Sequence, residues 1–84
     1  MISPEQAKSI KTKEDLVNFI KLLVRDLKDD PDSWENSRLD HYLDALSAWT
    51  EDMEGFFANV GEPFPETPNW RLIGIMLLAA KRYE

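Results

Sequence analysis

One histidine, His41, and sixteen carboxylates are the residues through which this chain could do chemistry, and it has no cysteine. His41 stands three residues before Asp44, one helical turn away, where a carboxylate can hold an imidazole. General acid–base catalysis asks for more: a second titrating group or a nucleophile converging from another element, in a pocket that keeps water out. No motif supplies either, so local pairing with Asp44 is the reading adopted for His41. Asp29-Asp30-Pro31-Asp32 lacks the alternating ligands and terminal Glu of a calcium loop. The Glu-x-x-His step of di-metal bundles does not occur. Thiolate metal sites and disulfides are excluded, and no serine sits in a nucleophile-elbow glycine context. The sequence therefore implies no enzyme, no cofactor and no metal.

The spacing of the acids says more than their number. On a helix, Asp40, Asp44, Glu51 and Glu54 fall with Ser47 in one strip about 80° wide, opposite an apolar arc of about 160° that runs from Leu39 to Val60. The strip spans roughly 21 Å from Asp40 to Glu54 at about 1.5 Å per residue. Carboxylates repelling one another at i,i+3 and i,i+4 cost a few tenths of a kcal/mol each unless a cation answers them. That cation comes either from the flanks of the chain or from a partner. Asp52 stands apart, at the edge of the apolar arc, where pairing with Arg71 is expected. Two aromatics in polar connectors, Trp34 and Phe64, are either plugs over the core or exposed anchors for a partner, the plug being the stronger reading for each.

Charge is segregated along the chain. Net charge is −6, yet from Asp29 to Glu66 eleven acids face one base, Arg38, and the two flanks are each slightly basic. Such a balance opposes nucleic-acid phosphate and anionic lipid and favours basic partners. The bases Lys21, Arg25 and Lys28 of the first long helix share their face with acids, and no amphipathic segment has the cationic border of a membrane-surface helix. The longest apolar run, Leu72 to Ala80, is far below the roughly 20 residues of a membrane span. A cytoplasmic protein is expected.

The elements that must position these residues are helices. Trp70 to Tyr83 is apolar over about two thirds of its circumference, so the rest of the chain should wrap it, with Arg71, Lys81 and Arg82 reaching water or pairing with acids. Ser3-Pro4-Glu5-Gln6 reads as the capped start of a short helical turn, after which Ile10 tucks inward. Thr12 caps a helix whose Leu16, Val17, Phe19, Ile20, Leu23, Val24 and Leu27 share one face, and Asp30-Pro31 ends it. Ser37 is the expected cap of the longest helix and Gly61 its left-handed terminator. Prolines 63, 65 and 68 stiffen the loop to the closing helix, which Thr67-Pro68 should launch.

Trp34-Glu-Asn, then Leu39-x-x-Tyr42-Leu-x-Ala45-x-x-Ala48-Trp49-x-Glu-Asp-Met53-Glu-Gly55-Phe56, with Gly61-Glu-Pro, Trp70 and Leu77-Leu-Ala-Ala-Lys81-x-Tyr-Glu84, resembles an uncharacterised bacterial family of small acidic helical proteins. The resemblance covers residues 12 to 84, implies one self-contained helical domain, and transfers no activity or site. In type alone, an acidic helical chain without cysteine also resembles the immunity proteins that neutralise secreted bacterial nucleases.

The expected fold is all-α: a compact bundle of three main helices, about 13 to 29, 38 to 60 and 68 to 83, after a short N-terminal helical turn. The expected function is non-enzymatic protein binding, as an immunity or antitoxin-type inhibitor. It would dock a basic partner such as a toxin through Asp40, Asp44, Glu51 and Glu54, with Trp34 and Phe64 slowing dissociation. The alternative is a structural or homo-oligomerisation module, since 84 residues barely sustain a core of their own.

Overall fold

Four helices carry the chain in a computed structural model that describes residues 2–83: α1 (Pro4–Lys8), α2 (Lys13–Asp29), α3 (Leu39–Asn59) and α4 (Trp70–Ala80), with a 3-10 turn over Pro31–Ser33. The caps explain most of the boundaries. The amide of Ser3 donates to Gln6 Oε1 at 2.7 Å, and the Thr12 hydroxyl accepts the Asp15 amide at 3.1 Å while Asp15 accepts the Lys11 amide at 3.0 Å. Gly61, at φ 73°, closes α3 in the left-handed region, where a side chain would be strained. Two starts differ from those expected. Arg38, not Ser37, is the N-cap of α3 and gives no side-chain cap, while Asp40 accepts the His41 amide at 3.0 Å. The closing helix begins two residues beyond Pro68, because the Asn69 carbonyl oxygen Oδ1 accepts the Leu72 amide at 2.7 Å.

The apolar circumference of α4 makes it the hub. α1, α2 and α3 all pack on it, whereas no comparable packing joins α2 to α3. Leu72, Ile75 and Ala80 are buried against this surround together with Phe19 and Leu23 of α2 and Trp49 and Phe57 of α3. The radius of gyration, 12.5 Å, is close to the roughly 12 Å of a folded chain this long. The extents are nevertheless uneven, 34 × 28 × 18 Å, so the helices form a slab only about two helix diameters thick. One side of α2 and of α3 consequently stays uncovered.

α1 packs on α4 through Ala7, and Ile10, just beyond its end, closely approaches the same helix. The Cδ1 atom of Ile10, a residue only 3% exposed, occupies the space that a Cβ at Gly74 would need, with Leu16 Cδ1 3.8 Å from the same point. Glycine in mid-helix costs about 1 kcal/mol relative to alanine, and here that cost secures contact between the N-terminal segment and α4. We expect Gly74→Ala to lose about 1 kcal/mol in urea unfolding despite its better helix propensity, since overpacking costs roughly 1–3 kcal/mol. Ile10→Val, which removes Cδ1 alone, should recover most of that loss in the double variant. A stabilised Gly74→Ala chain would show that α1 is not docked this way.

Candidate functional site: an acidic helix face beside an apolar cleft

Helical periodicity places Asp40, Asp44, Glu51 and Glu54 on the side of α3 turned away from α4, and all four are exposed. Asp40 is answered by Arg38 at 3.0 Å. For Asp44, Glu51 and Glu54 no cation lies within ion-pair distance among the described residues. His41 is exposed at the rim of a shallow depression that also holds Asn36, Asp44 and Tyr83. Asp52 does not meet Arg71. Its Oδ2 accepts the Tyr83 hydroxyl at 2.6 Å, which raises the tyrosine pKa above its ordinary value, and Arg71 instead reaches Glu62 at 3.4 Å. The loop after Gly61 brings Glu62 to Arg71.

The two connector aromatics take different positions. Trp34 is 9% exposed and plugs the end of the core, its ring 5.8 Å from that of Tyr42. Phe64 remains 40% exposed and rests edge-on against Phe57 at 5.7 Å, the last ring in a chain that continues through Phe56 to Trp49. It is half lid and half free surface.

Behind Trp34 lies an arrangement that the sequence reading passed over. Lys81 Nζ donates to Asp26 Oδ2 at 2.8 Å, and the indole Nε1–H of Trp34 donates to the same oxygen at 2.8 Å. The two charged side chains are 9% and 7% exposed. The ammonium also lies 5.5 Å from the Trp34 ring centroid, within cation–π range. Asn36 completes the joint, its amide Nδ2 donating to the carbonyls of Ala80 and Tyr83 at 3.0 and 2.8 Å and its backbone N–H donating to Lys81 O at 3.1 Å. The Trp34-Glu-Asn36 connector thus caps the C-terminus of α4 while anchoring the end of α2. The signal for Asp26 was available: it lies seven residues after Phe19 and three after Leu23, on the buried side of α2.

Between α2 and α3 runs an apolar cleft of about 350 Å³, floored by Trp34, Tyr42 and Leu77 and walled by Ile20 and Val24 on one side and Leu39 on the other. The Tyr42 hydroxyl donates to Leu77 O at 2.6 Å, and burial pushes its pKa up to about 12. Val17, Ile20 and Val24 are 43%, 40% and 48% exposed, and Leu39 and Leu43 are 73% and 51% exposed. These residues belong to the faces expected to form core, and the gap between α2 and α3 leaves them open. Among the described residues, no group of three His, Cys, Asp or Glu side chains is placed to hold a metal ion, and no helix is long and apolar enough to cross a membrane.

A family of unknown function, DUF7660, matches residues 12–84, from the cap of α2 through the α4 joint. The chain belongs to this family. No curated protein and no solved structure matches it. The match includes Asp26, Trp34, Asn36 and Lys81 and leaves α1 outside it.

Lys81 holds the Asp26 carboxyl below the usual carboxylate range, with the Trp34 bond adding to the effect against desolvation. A lowered native pKa stabilises the fold above the unfolded value of about 3.9, and the contribution is lost as pH falls through the native value. Asp26→Asn should therefore cost roughly 3 kcal/mol at neutral pH, where it leaves a buried ammonium unpaired. The variant and wild-type urea curves should draw together only as pH falls below the ordinary carboxylate range, through the lowered native value. A gap that does not narrow in acid would mean that the carboxylate charge is not what holds the joint.

Proposed function

We propose that the protein is a non-enzymatic binding module that docks a basic protein on the outward face of α3, most concretely as an immunity or antitoxin-type inhibitor of a cationic site. The observation that carries this reading is the state of Asp44, Glu51 and Glu54: exposed, aligned, and without an intramolecular cation among the described residues. The fold leaves their mutual repulsion unrelieved, and a cationic partner relieves it. Carboxylates on a rigid helix speed encounter with a basic surface and reject acidic ones. Of the two connector aromatics, Phe64 has the free surface to contribute contact. Trp34 acts from beneath, fixing the start of α3.

Affinity capture with wild-type and Asp44→Lys/Glu51→Lys baits tests the proposal. The wild-type chain should recover a basic protein whose association slows as salt rises, and the double variant should lose it while keeping its circular dichroism and melting temperature. Equal recovery by both baits would retire the acidic face as the docking surface.

A further inference from the structure

We propose, on the footing of that acidic-face reading, that the depression where α3 meets the connector before it and the chain leaving α4 is a socket for one arginine side chain of the basic partner. Its volume is about 270 Å³. α3 contributes His41, Asp44, Ala45 and Ala48 to its lining, the connector contributes Asn36, and the chain after α4 contributes Tyr83. Helical periodicity sets His41, Ala45, Ala48 and Asp52 in one row along α3. Alanine at both middle positions leaves that row low between two larger side chains.

The polar groups around this low stretch are fixed, and those that remain free are acceptors. The Tyr83 hydroxyl donates to Asp52 Oδ2 at 2.6 Å, which pins the aromatic ring to α3. Asn36 Nδ2 donates to the carbonyls of Ala80 and Tyr83 at 3.0 and 2.8 Å. With both amide hydrogens spent, the atom Asn36 still has to offer is Oδ1, an acceptor. Asp44 is exposed and has no ion-pair partner among the described residues. A carboxylate and an oriented amide oxygen thus stand beside an aromatic ring and two methyl groups.

Each of these properties narrows the ligand. An anion would meet acceptors. Among the described residues no group of three His, Cys, Asp or Glu side chains is placed for a metal ion. An ammonium is compact and strongly hydrated, so it gains little from ring and methyl surface. A guanidinium is planar and weakly hydrated, packs its face on aromatic and apolar surface, and directs a fork of N–H donors at a carboxylate with others to spare for Oδ1. Arginine therefore uses every group in the lining, whereas lysine uses the charge alone. Glu51 and Glu54 remain for the partner's other cations.

Methyl nuclear magnetic resonance titrations with Nα-acetyl-arginine methylamide and with its lysine counterpart test the socket. The arginine probe should shift the Ala45 and Ala48 methyl signals at millimolar concentration, and the lysine probe should bind about fivefold more weakly or worse. Ala48→Leu, which fills the depression and changes no charge, should abolish the arginine response, while Ala48→Ser, which keeps the space, should retain it. As a capture bait, Ala48→Leu should hold the basic protein about tenfold more weakly than wild type. Equal binding of the two probes overturns the proposal, and so does an Ala48→Leu chain that binds the arginine probe as wild type does. Full-strength capture by Ala48→Leu, with capture lost in Asp44→Lys/Glu51→Lys, overturns the socket and leaves the acidic face standing, so the two readings fail separately.

Discussion

The pair formed by Lys81 and Asp26, tied at 2.8 Å and shared with the indole of Trp34, joins three parts of the chain: the end of α2, the connector before α3, and the end of α4. Buried ion pairs are weak sources of stability, because desolvation offsets much of their attraction, but they are costly to break. Position is what this one contributes. The 55-residue separation of its partners makes it a long-range constraint that an apolar contact of equal area would not specify. Replacing it by hydrocarbon would also orphan the Trp34 N–H, so the usual gain from such a swap is opposed by an unsatisfied donor. Asn36 then binds the carbonyls that α4 leaves free at its end, and the buried end of the molecule has few polar groups left over.

That joint lies at one end only, and the architecture follows from it. α2 and α3 are fastened near Trp34 and each rests on α4, but nothing draws their exposed faces together. A helix of eleven residues such as α4 (Trp70–Ala80) is about 16 Å long, too short to line the full length of a 21-residue α3. Much of α3 must therefore extend past its support. The aromatic series from Trp49 through Phe57 to Phe64 covers the far end by local stacking instead of helix packing. The near end has no such cover, and the cleft is the result.

Much of this fold could be read from residue order alone, for reasons that particular positions make clear. α4 is apolar nearly all round, so its central place was forced; Thr12 and Gly61 mark helix ends by chemistry that acts over three or four residues. Asn69 acted by the same local rule and displaced Thr67, which shows how little separates competing caps in a polar loop. What periodicity cannot convey is whether an apolar face is covered. Val17, Ile20, Val24, Leu39 and Leu43 carry the pattern of core residues and are exposed, because coverage depends on where a third helix ends. Asp26 was hidden by a different assumption, that a charged residue on an amphipathic helix belongs to the wet side. Its register with Phe19 and Leu23 indicated otherwise, and the conflict between its charge and its register was itself the sign of a buried partner. Arg71 and Asp52 failed to pair for a simpler reason: each had a nearer neighbour, Glu62 and Tyr83, delivered by loops whose paths helical geometry does not predict.

The segregation of charge along the chain can now be given a spatial meaning. Of the described ion pairs, Lys13 with Glu14, Arg38 with Asp40 and Arg71 with Glu62 join residues close in sequence, and the one long-range pair is the buried Asp26–Lys81 contact. The acids of α3 and the bases of α2 do not neutralise one another across the fold. A chain selected only for solubility has no reason to separate its signs, since interspersed charges solvate a surface equally well. Separation leaves an acidic side on α3 and an apolar strip between it and α2, a helix whose four bases are matched by four acids. On α3 the carboxylates of Asp44, Glu51 and Glu54 repel one another with no intramolecular cation among the described residues to answer them.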